Sequence, residues 1–313
     1  MSRSKAAPVD ADVLTNKVPC GICGSERFTV VYPPGVAQIN QVVKCLDCGL
    51  MYASPRRDSG DAMLSADERE YRFSEAHPQR YEKEQTQLGD TADTRALLDR
   101  LHPERGKAIE IGSSCGFQLD AFRSQGWDVL GIEPDRNAAA QAEADLSIPT
   151  LNTILEEADL PDESADVVVM LHVIEHIPDP VGTLTEICRV LRPGGHFVLE
   201  TPRYDTLTFK LLGRRERSVS CDGHIFFFTT DSLRNAYTRA GFELEKLDYV
   251  GRTMTLDRLA YNLGVMSKSP ALKQGAIDAA RRLNLQKHSI KLNARDMQRV
   301  CLVKPPRRPA SGS

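Results

Sequence analysis

The chain has 313 residues, of which 41% are hydrophobic, so one large domain or two modest ones with a sizeable buried core are expected. The formal net charge of −3 gives no general electrostatic reason to expect nucleic acid or an anionic membrane as a partner. No apolar run is long enough to span a membrane, and the N-terminal residues have no apolar core of signal-peptide length. We therefore expect a cytoplasmic protein that does not insert into membranes.

Four of the eight cysteines form two CxxC pairs, Cys20–Cys23 and Cys45–Cys48, each followed by a glycine. Two such pairs at this separation are the pattern of a tetrahedral zinc site, and a cytoplasmic protein is not expected to hold disulfides. Four thiolates complete the coordination of zinc and leave no open position. We therefore predict a structural zinc ribbon with short strands at 28–32 and 41–44. A redox-active dithiol is the alternative, although a single CxxC would suit it better.

The stretch from Lys107 to Pro134 has the pattern of half a nucleotide-binding fold. It predicts a strand at 107–111, a turn of small residues, a helix at 117–124 and a second buried strand at 129–132. Glu133 directly follows the second strand. Ligands of open α/β sheets bind outside the carboxyl ends of the strands, where a glycine turn exposes backbone amides and an acid can accept ribose hydroxyls.

The glycines of this turn do not match the dinucleotide fingerprint. That fingerprint is GxGxxG, whereas three other residues separate Gly112 from Gly116. Together with Glu110 the pattern is acid-x-Gly-x-x-x-Gly, which resembles the first motif of class I S-adenosylmethionine (SAM)-dependent methyltransferases, with Ser114 in place of the middle glycine. From this stretch alone, an ordinary strand–turn–helix unit without a cofactor is the alternative.

Two later segments strengthen the resemblance. The first is the apolar run 165–171, which is preceded by LPDESAD and followed by HVIEHIPDP. The second is LRPGG, which precedes a predicted strand at 196–201. Both resemble motifs of bacterial enzymes related to the ubiquinone-biosynthesis O-methyltransferase. The resemblance covers about Lys107 to Lys304. It implies an α/β fold with a Rossmann-like, mostly parallel sheet of seven strands, helices on both faces, and the small zinc ribbon in front.

The resemblance also implies a SAM site at the carboxyl ends of the strands. Glu110 and the glycine turn would hold the methionine side, Glu133 the ribose, and the segment around Ile154 the adenine. The expected cofactor-binding residues are Glu110, Gly112, Ser113, Ser114, Gly116, Phe117, Glu133, Pro134, Ile154, Leu155 and His172.

Three histidines are candidate catalytic residues. Methyl transfer is an in-line displacement that needs the acceptor's proton removed when its pKa is high, and histidine suits this task near neutral pH. His172 and His176 follow the strand at 165–171, and His224 lies between the fifth and sixth strands. Both places open onto the substrate pocket in the fold that the resemblance implies. A structural role that ties a loop to a strand is the alternative for His176, and such a role is expected for His196.

A second divalent cation is a further hypothesis at the turn after the fourth strand. The related ubiquinone enzyme is thought to bind a cation with carboxylate and histidine groups on this turn. His172, Glu175 and His176 would form the corresponding set here. Glu175 as a cap of the turn is the alternative.

The predicted organisation has five parts. A tail at 1–17 precedes the zinc ribbon at 18–57, a helical linker at 58–103, the methyltransferase domain at 104–304 and a second tail at 305–313. Aromatic residues of the linker would cover the substrate or simply pack the linker helix; these are Tyr71, Phe73 and Tyr81.

An insert at 203–224 is expected to select the acceptor. Its cluster of Arg214, Arg215 and Arg217 would clamp a phosphate or carboxylate, or else lie in a solvated loop.

We expect a SAM-dependent methyltransferase that acts on a small molecule such as a sugar, a lipid-linked precursor or a secondary metabolite. An RNA base methyltransferase is the second hypothesis, because some of these enzymes also carry an N-terminal zinc module, but the ribbon has few basic residues. The third hypothesis is a non-catalytic scaffold whose ribbon recruits a partner. The intact Glu133 and glycine turn argue against a scaffold.

Overall fold

The computed structural model describes residues 17–33, 41–56, 91–213, 219, 223–256, 274–275, 278–280, 282–283 and 288–307. Most of both predicted tails and of the linker lie outside these residues. So do Tyr71, Phe73 and Tyr81 and the arginines of the insert, Arg214, Arg215 and Arg217.

The described elements follow one another from the ribbon to the last strand. In chain order the strands are β1 (Phe28–Tyr32), β2 (Val42–Cys45), β3 (Met51–Ala53), β4 (Lys107–Ile111), β5 (Asp128–Ile132), β6 (Thr150–Leu151), β7 (Ala165–Leu171), β8 (Leu191–Pro202), β9 (Phe226–Phe227), β10 (Glu243–Thr255) and β11 (Ser289–Val303). The helices are α1 (91–101), α2 (Phe117–Arg123), α3 (Arg136–Leu146), α4 (Pro180–Val190), α5 (Leu207–Leu212) and α6 (Thr230–Arg239). Single 3₁₀ turns lie at Leu155–Glu157 and Ile174–His176. None of the described helices combines the length and apolar character needed to cross a membrane.

The larger sheet has seven strands in the order β10-β11-β8-β7-β4-β5-β6. β4 lies between β5 and β7 and is parallel to both, whereas β11 runs antiparallel to its neighbours β8 and β10. This confirms the predicted Rossmann-like, mostly parallel sheet. The bounds of β4 and β7 agree with the prediction, whereas β8 begins five residues earlier than expected. Its first residues follow α4 without a loop, and Ala165 of β7 pairs with Leu191 there.

Helices cover the central strands on both faces, and the alternation of side chains explains why. Ile109 and Val168 belong to the apolar cluster that contains residues of α4 and α6. Ala108 and Val167, one position away, belong to the cluster that contains residues of α1, α2 and α3. Successive side chains of a strand point to opposite faces, so a strand buried on both faces must be apolar throughout.

A second, smaller sheet joins the ribbon to the main domain. Its order is β1-β2-β3-β9, and all its pairings are antiparallel. The first three strands come from the predicted ribbon, but β9 comes from the segment just after His224. The ribbon therefore shares backbone hydrogen bonds with the domain that contains the candidate site.

Two buried histidines, His102 and His196 of β8, lie next to each other. His102 Nε2 lies 2.8 Å from His196 Nδ1, and the edge of Trp127 packs against the His102 ring. Both imidazoles are 8% exposed. Burial lowers the pKa of both groups, and the charges of His196 and Arg192 lower that of His102 further, to about 4.

Acidification from pH 6.5 to 4 is expected to reduce the free energy of unfolding through this pair. A folded-state pKa below the unfolded value of about 6.5 means that the stabilisation is complete above pH 6.5 and is lost as the pH falls toward 4. For His102, whose pKa falls to about 4 in the folded protein, the loss should reach up to ~3 kcal/mol, since one pKa unit corresponds to about 1.4 kcal/mol. Denaturant unfolding of the wild type and His102→Gln at several pH values measures it. Two curves that stay parallel across this window would contradict the prediction.

Candidate functional site

The glycine turn joins the end of β4 to the start of α2. Gly112 and Gly116 have positive φ angles of 72° and 81°. A Cβ on Gly112 would also come within 2.4 Å of Val173 Cγ2, so conformation and space both require glycine there. Ser114, at the position of the missing glycine, has φ 49° and is itself left-handed. The turn therefore keeps a sharply folded backbone at some conformational cost.

Glu133 faces this turn from the end of β5. Its Oε2 accepts a hydrogen bond of 2.8 Å from Ser114 N, and its Oε1 accepts one of 2.8 Å from Asp135 N. The Asn152 amide donates to the carbonyls of Glu133 and Pro134 at 2.9 and 3.0 Å. Asn152 holds this strand end in position and was not predicted to have a role.

The other predicted cofactor residues lie around the same edge of the sheet. Four of them are buried, namely Glu110, Ser113, Phe117 and Leu155. Pro134 and Ile154 are half-buried, and Ile154 directly precedes the 3₁₀ turn at Leu155–Glu157. Carboxyl ends of adjacent parallel strands and a glycine turn form a crevice suited to a nucleotide-like ligand.

Helix α1 reaches this edge through two polar side chains that the sequence did not single out. Arg95 Nη1 donates to Gln118 Oε1 of α2 at 2.8 Å. Burial, followed by the positive charge of Arg299, lowers the pKa of Arg95, while Asp99 and Glu110 act in the opposite direction. Thr94 Oγ1 accepts a hydrogen bond of 2.9 Å from Arg299.

His172 directly follows β7 and is held by an ion-paired carboxylate. Its backbone is left-handed, with φ 60°. Its Nε2 lies 3.2 Å from Glu200 Oε1, and Arg299 Nε donates to Glu200 Oε2 at 2.6 Å. Burial alone would raise the pKa of Glu200, but His172 and Arg299 outweigh it and hold that pKa at about 2. Glu200 is therefore a carboxylate at neutral pH and fixes the imidazole of His172.

His176 and His224 meet above the turn that follows β7. Their ring centroids are 4.6 Å apart in an edge-to-face arrangement. His176 Nδ1 lies 2.9 Å from the Gly223 carbonyl oxygen, and His224 Nδ1 lies 3.4 Å from the Tyr204 hydroxyl. A carbonyl oxygen only accepts, so Nδ1 of His176 carries the proton and its Nε2 has the lone pair when the ring is neutral.

Glu175 lies beside both rings and is completely buried. Its Oε2 accepts a 2.9 Å hydrogen bond from Thr201 Oγ1. Its Oε1 has no hydrogen-bond partner among the described residues and lies 4.0 Å from His224 Nε2. A buried carboxylate oxygen without a partner carries a desolvation cost, which a proton or a cation nearby would offset.

The structure adds a histidine to the ligand set expected for a second cation. Single ligand atoms of Glu175, His176 and His224 lie within 4.8 Å of one another. His172 lies at the edge of this group, with its Nδ1 3.9 Å from Glu175 Oε1 and its Nε2 directed to Glu200. The third member comes from a segment far along the chain, and only the tertiary fold brings it to this turn.

The four predicted zinc ligands converge in the ribbon. One sulfur atom from each of Cys20, Cys23, Cys45 and Cys48 lies within 4.8 Å of the others. The distances are 3.3 Å for Cys20–Cys48 and 3.5 Å for Cys23–Cys45. Tetrahedral zinc with bonds of about 2.3 Å needs sulfur atoms roughly 3.8 Å apart, so the residues fit this metal. The Asp47 amide donates to Cys45 Sγ at 3.4 Å, as expected next to a thiolate ligand.

Comparison with known proteins shows the sequence family to which the chain belongs. A family model described as a methyltransferase domain matches residues 81–247, more than half of the chain. The ubiquinone biosynthesis O-methyltransferase of Bradyrhizobium sp. (strain ORS 278) is 33% identical over 110 residues, which cover 34% of this chain and 43% of that protein. An uncharacterized methyltransferase of Mycobacterium sp. (strain KMS) is 32% identical over 139 residues, with coverages of 42% and 53%. The chain thus spans about half or less of the length of these relatives.

A solved structure agrees with the fold. A chain of the complex that contains the Haloferax volcanii Trm112 methyltransferase activator superposes with a TM-score of 0.51 at 19% identity. The match covers 74% of this chain and 96% of that chain. At this identity the likeness shows the fold alone.

Variants of Ser114 test the geometry of the turn. Ser114→Gly should bind SAM at least as tightly as the wild type, because glycine adopts a positive φ without strain. Ser114→Val should bind SAM about tenfold or more weakly, since a β-branched residue in this conformation costs ~1–2 kcal/mol or more. Isothermal titration calorimetry with SAM measures the dissociation constants.

Ser124→Val is the matched control, because Ser124 has an ordinary φ of −62° at the other end of α2. Equal affinities for Ser114→Val and Ser124→Val would show that the geometry of the turn does not matter for binding.

Proposed function

Because the chain belongs to the methyltransferase-domain family, we propose that it is a SAM-dependent methyltransferase acting on a small-molecule acceptor. The observation that carries the proposal is the left-handed glycine turn facing Glu133 across the adjoining ends of β4 and β5. When bound, SAM would supply a methyl group on its sulfonium, so that the acceptor nucleophile attacks the methyl carbon in line while the C–S bond breaks and the neutral thioether leaves.

The residues at this edge have complementary roles in the proposal. The carboxylate of Glu133 accepts both ribose hydroxyls, and Glu110 with the turn from Gly112 to Gly116 holds the methionine portion. Leu155 and Ile154 flank the adenine with apolar surface. The donor and acceptor types support this assignment, since a carboxylate next to a tight glycine turn suits a ribose and its neighbouring polar groups.

His176 is the favoured general base, with His224 as its partner. The proton on Nδ1 is directed to Gly223, which leaves Nε2 as the site that takes the acceptor's proton. The buried carboxylate of Glu175 stabilises the positive charge that the histidine pair acquires. His172, fixed by Glu200, shapes the pocket next to the methyl group.

The acceptor in this proposal is a sugar, a lipid-linked precursor or a secondary metabolite. Two observations argue against an RNA acceptor. The chain has a net charge of −3, and Arg27 of the ribbon is paired with Asp47, which offsets its positive charge. A cytoplasmic setting belongs to the proposal, since the cluster of four cysteines would hold zinc as thiolates in a reducing compartment.

Labelling identifies the acceptor class and tests SAM binding. Incubation of the purified protein with methyl-labelled SAM and an extract of its source should transfer label to a small molecule, with no label in RNA. Glu133→Gln should lose SAM affinity and labelling together, because an amide cannot accept from two hydroxyls as a carboxylate does. Asp128→Asn, on the exposed start of the same strand, is the matched control and should retain both.

Two outcomes would overturn the proposal. Label recovered in RNA would favour the RNA methyltransferase. An unlabelled extract together with a Glu133→Gln variant that binds SAM normally would favour a scaffold.

A second candidate role for the histidine pair is a divalent-cation site. The unpartnered Glu175 Oε1 and the lone pair on His176 Nε2 support it, together with the hydrogen-bonded Nδ1 atoms of both rings, which is how metal-binding histidines are held. Ligand atoms around a metal with bonds of about 2.0–2.2 Å lie roughly 3–3.5 Å apart. The separation of 4.0 Å between Glu175 and His224 would have to shorten.

Treatment with a chelator distinguishes a general-base role of His176 from a divalent-cation site. With the ribbon zinc verified as retained, EDTA should leave labelling unchanged and His176→Gln should lower the rate by about 10²–10⁴ while SAM still binds. The base proposal fails if EDTA abolishes labelling and Mn²⁺ restores it. In that case Mn²⁺ titration should detect a site that His224→Gln removes and that His196→Gln, the matched control at a histidine outside this group, preserves.

A further inference from the structure

The third strand of the ribbon is hydrogen-bonded to the segment that carries His224. β3 pairs with β9 in the antiparallel register Met51 with Phe227 and Tyr52 with Phe226. At the end of this ladder the Ala53 amide donates to the Ile225 carbonyl at 2.9 Å. His224 directly precedes Ile225, so the ribbon holds the backbone one residue away from a candidate catalytic side chain.

The same segment is held on its other side by the turn that carries Glu175 and His176. The Ile225 amide donates to the Glu175 carbonyl at 2.9 Å. Gly223 accepts the hydrogen bond from His176 Nδ1. The backbone from Gly223 to Ile225 thus lies between the ribbon and the 3₁₀ turn, and the relative position of the two histidines depends on both contacts.

The zinc knuckles pack directly against β9. A Cβ added to Gly21, inside the first CxxC pair, would come within 2.6 Å of Phe226 Cζ. Cys20 and Ile22 belong to the same buried cluster as Phe226. The second knuckle is tied to α6, where Asn235 Nδ2 lies 3.5 Å from the Cys48 carbonyl. The geometry of the knuckles therefore sets where β9 lies.

We propose that the zinc ribbon is a positioning element of the acceptor site, which aligns His224 and His176 through β3 and β9. This inference rests on the proposed role of the two histidines in methyl transfer. It assigns the ribbon to the catalytic pocket instead of to recruitment of a partner. Ribbon residues such as Gly21 and Ala53 act through β9 and touch neither cofactor nor acceptor.

Chemical footprinting of histidines tests the proposal without knowledge of the acceptor. The full-length, zinc-loaded protein is treated with diethyl pyrocarbonate, and the modification rate of each histidine is measured by mass spectrometry. In Gly21→Ala the new methyl group must displace Phe226, so His176 and His224 should be modified about fivefold or more faster than in the wild type, as expected for local opening. Zinc content and SAM affinity should remain at wild-type levels.

Two controls isolate the effect. Leu46→Ala changes the equivalent interior of the second CxxC pair at a residue that is 61% exposed, and it should leave all rates unchanged. The rates of His102 and His196 on the opposite side of the sheet report unfolding and should not rise. The double variant Gly21→Ala with Phe226→Leu removes the clashing ring atoms and should restore protection.

The outcomes distinguish the positioning role of the ribbon from the catalytic role of the two histidines. The positioning role is overturned if the modification rates of His176 and His224 are unchanged in Gly21→Ala. It is also overturned if the rates of His102 and His196 rise as much as those of His176 and His224 and Phe226→Leu does not restore protection. Selective exposure without any loss of labelling activity would support the contact but overturn the role of the histidines in catalysis. Selective exposure with loss of labelling and intact SAM binding is the expected result.

Discussion

The parallel pairing of β4 with both β5 and β7 is the constraint on which the candidate site depends. It brings the carboxyl ends of these strands to one edge, so that the glycine turn, Glu133 and His172 become neighbours although they are far apart in the chain. Dense packing maintains this arrangement. For example, a Cβ added to Gly112 would come within 2.4 Å of Val173 Cγ2. The glycine turn and the candidate histidines are therefore parts of one packed layer.

Two buried carboxylates beside the candidate histidines differ in how their charge is satisfied. Glu200 is paired with Arg299 and holds His172. Among the described residues, Glu175 accepts a hydrogen bond at only one oxygen, and the other lies 3.9 Å from His172 Nδ1 and 4.0 Å from His224 Nε2. A low-dielectric environment makes such an uncompensated oxygen costly, and sites of this kind are where proton transfer or cation binding is expected. This contrast supports the proposal that Glu200 holds His172 in place and that Glu175 takes part in the chemistry.

Local patterns predicted much of the fold. The bounds of β1, β4 and β7 agree with the strands predicted from the sequence. The short strand β9 was not predicted, since two residues carry too little periodicity to be distinguished from a loop. Its partner β3 has only three residues and pairs with β2 on its other edge. β9 becomes a strand because it pairs with β3, which is a property of the assembled chain.

The sequence by itself determined the chemistry that is available: the four thiolates, the glycine turn, the acid after the second strand and the histidines of the acceptor side. Spacing along the chain is sufficient for these, because each motif is local or resembles a known pattern. Only the tertiary structure decided which groups work together. It brought His224 to Glu175 and His176, and it attached the ribbon to the segment of His224. The reason is physical, since such partners are chosen by strand pairing and core packing between segments that are distant in the sequence, and no local pattern records that choice.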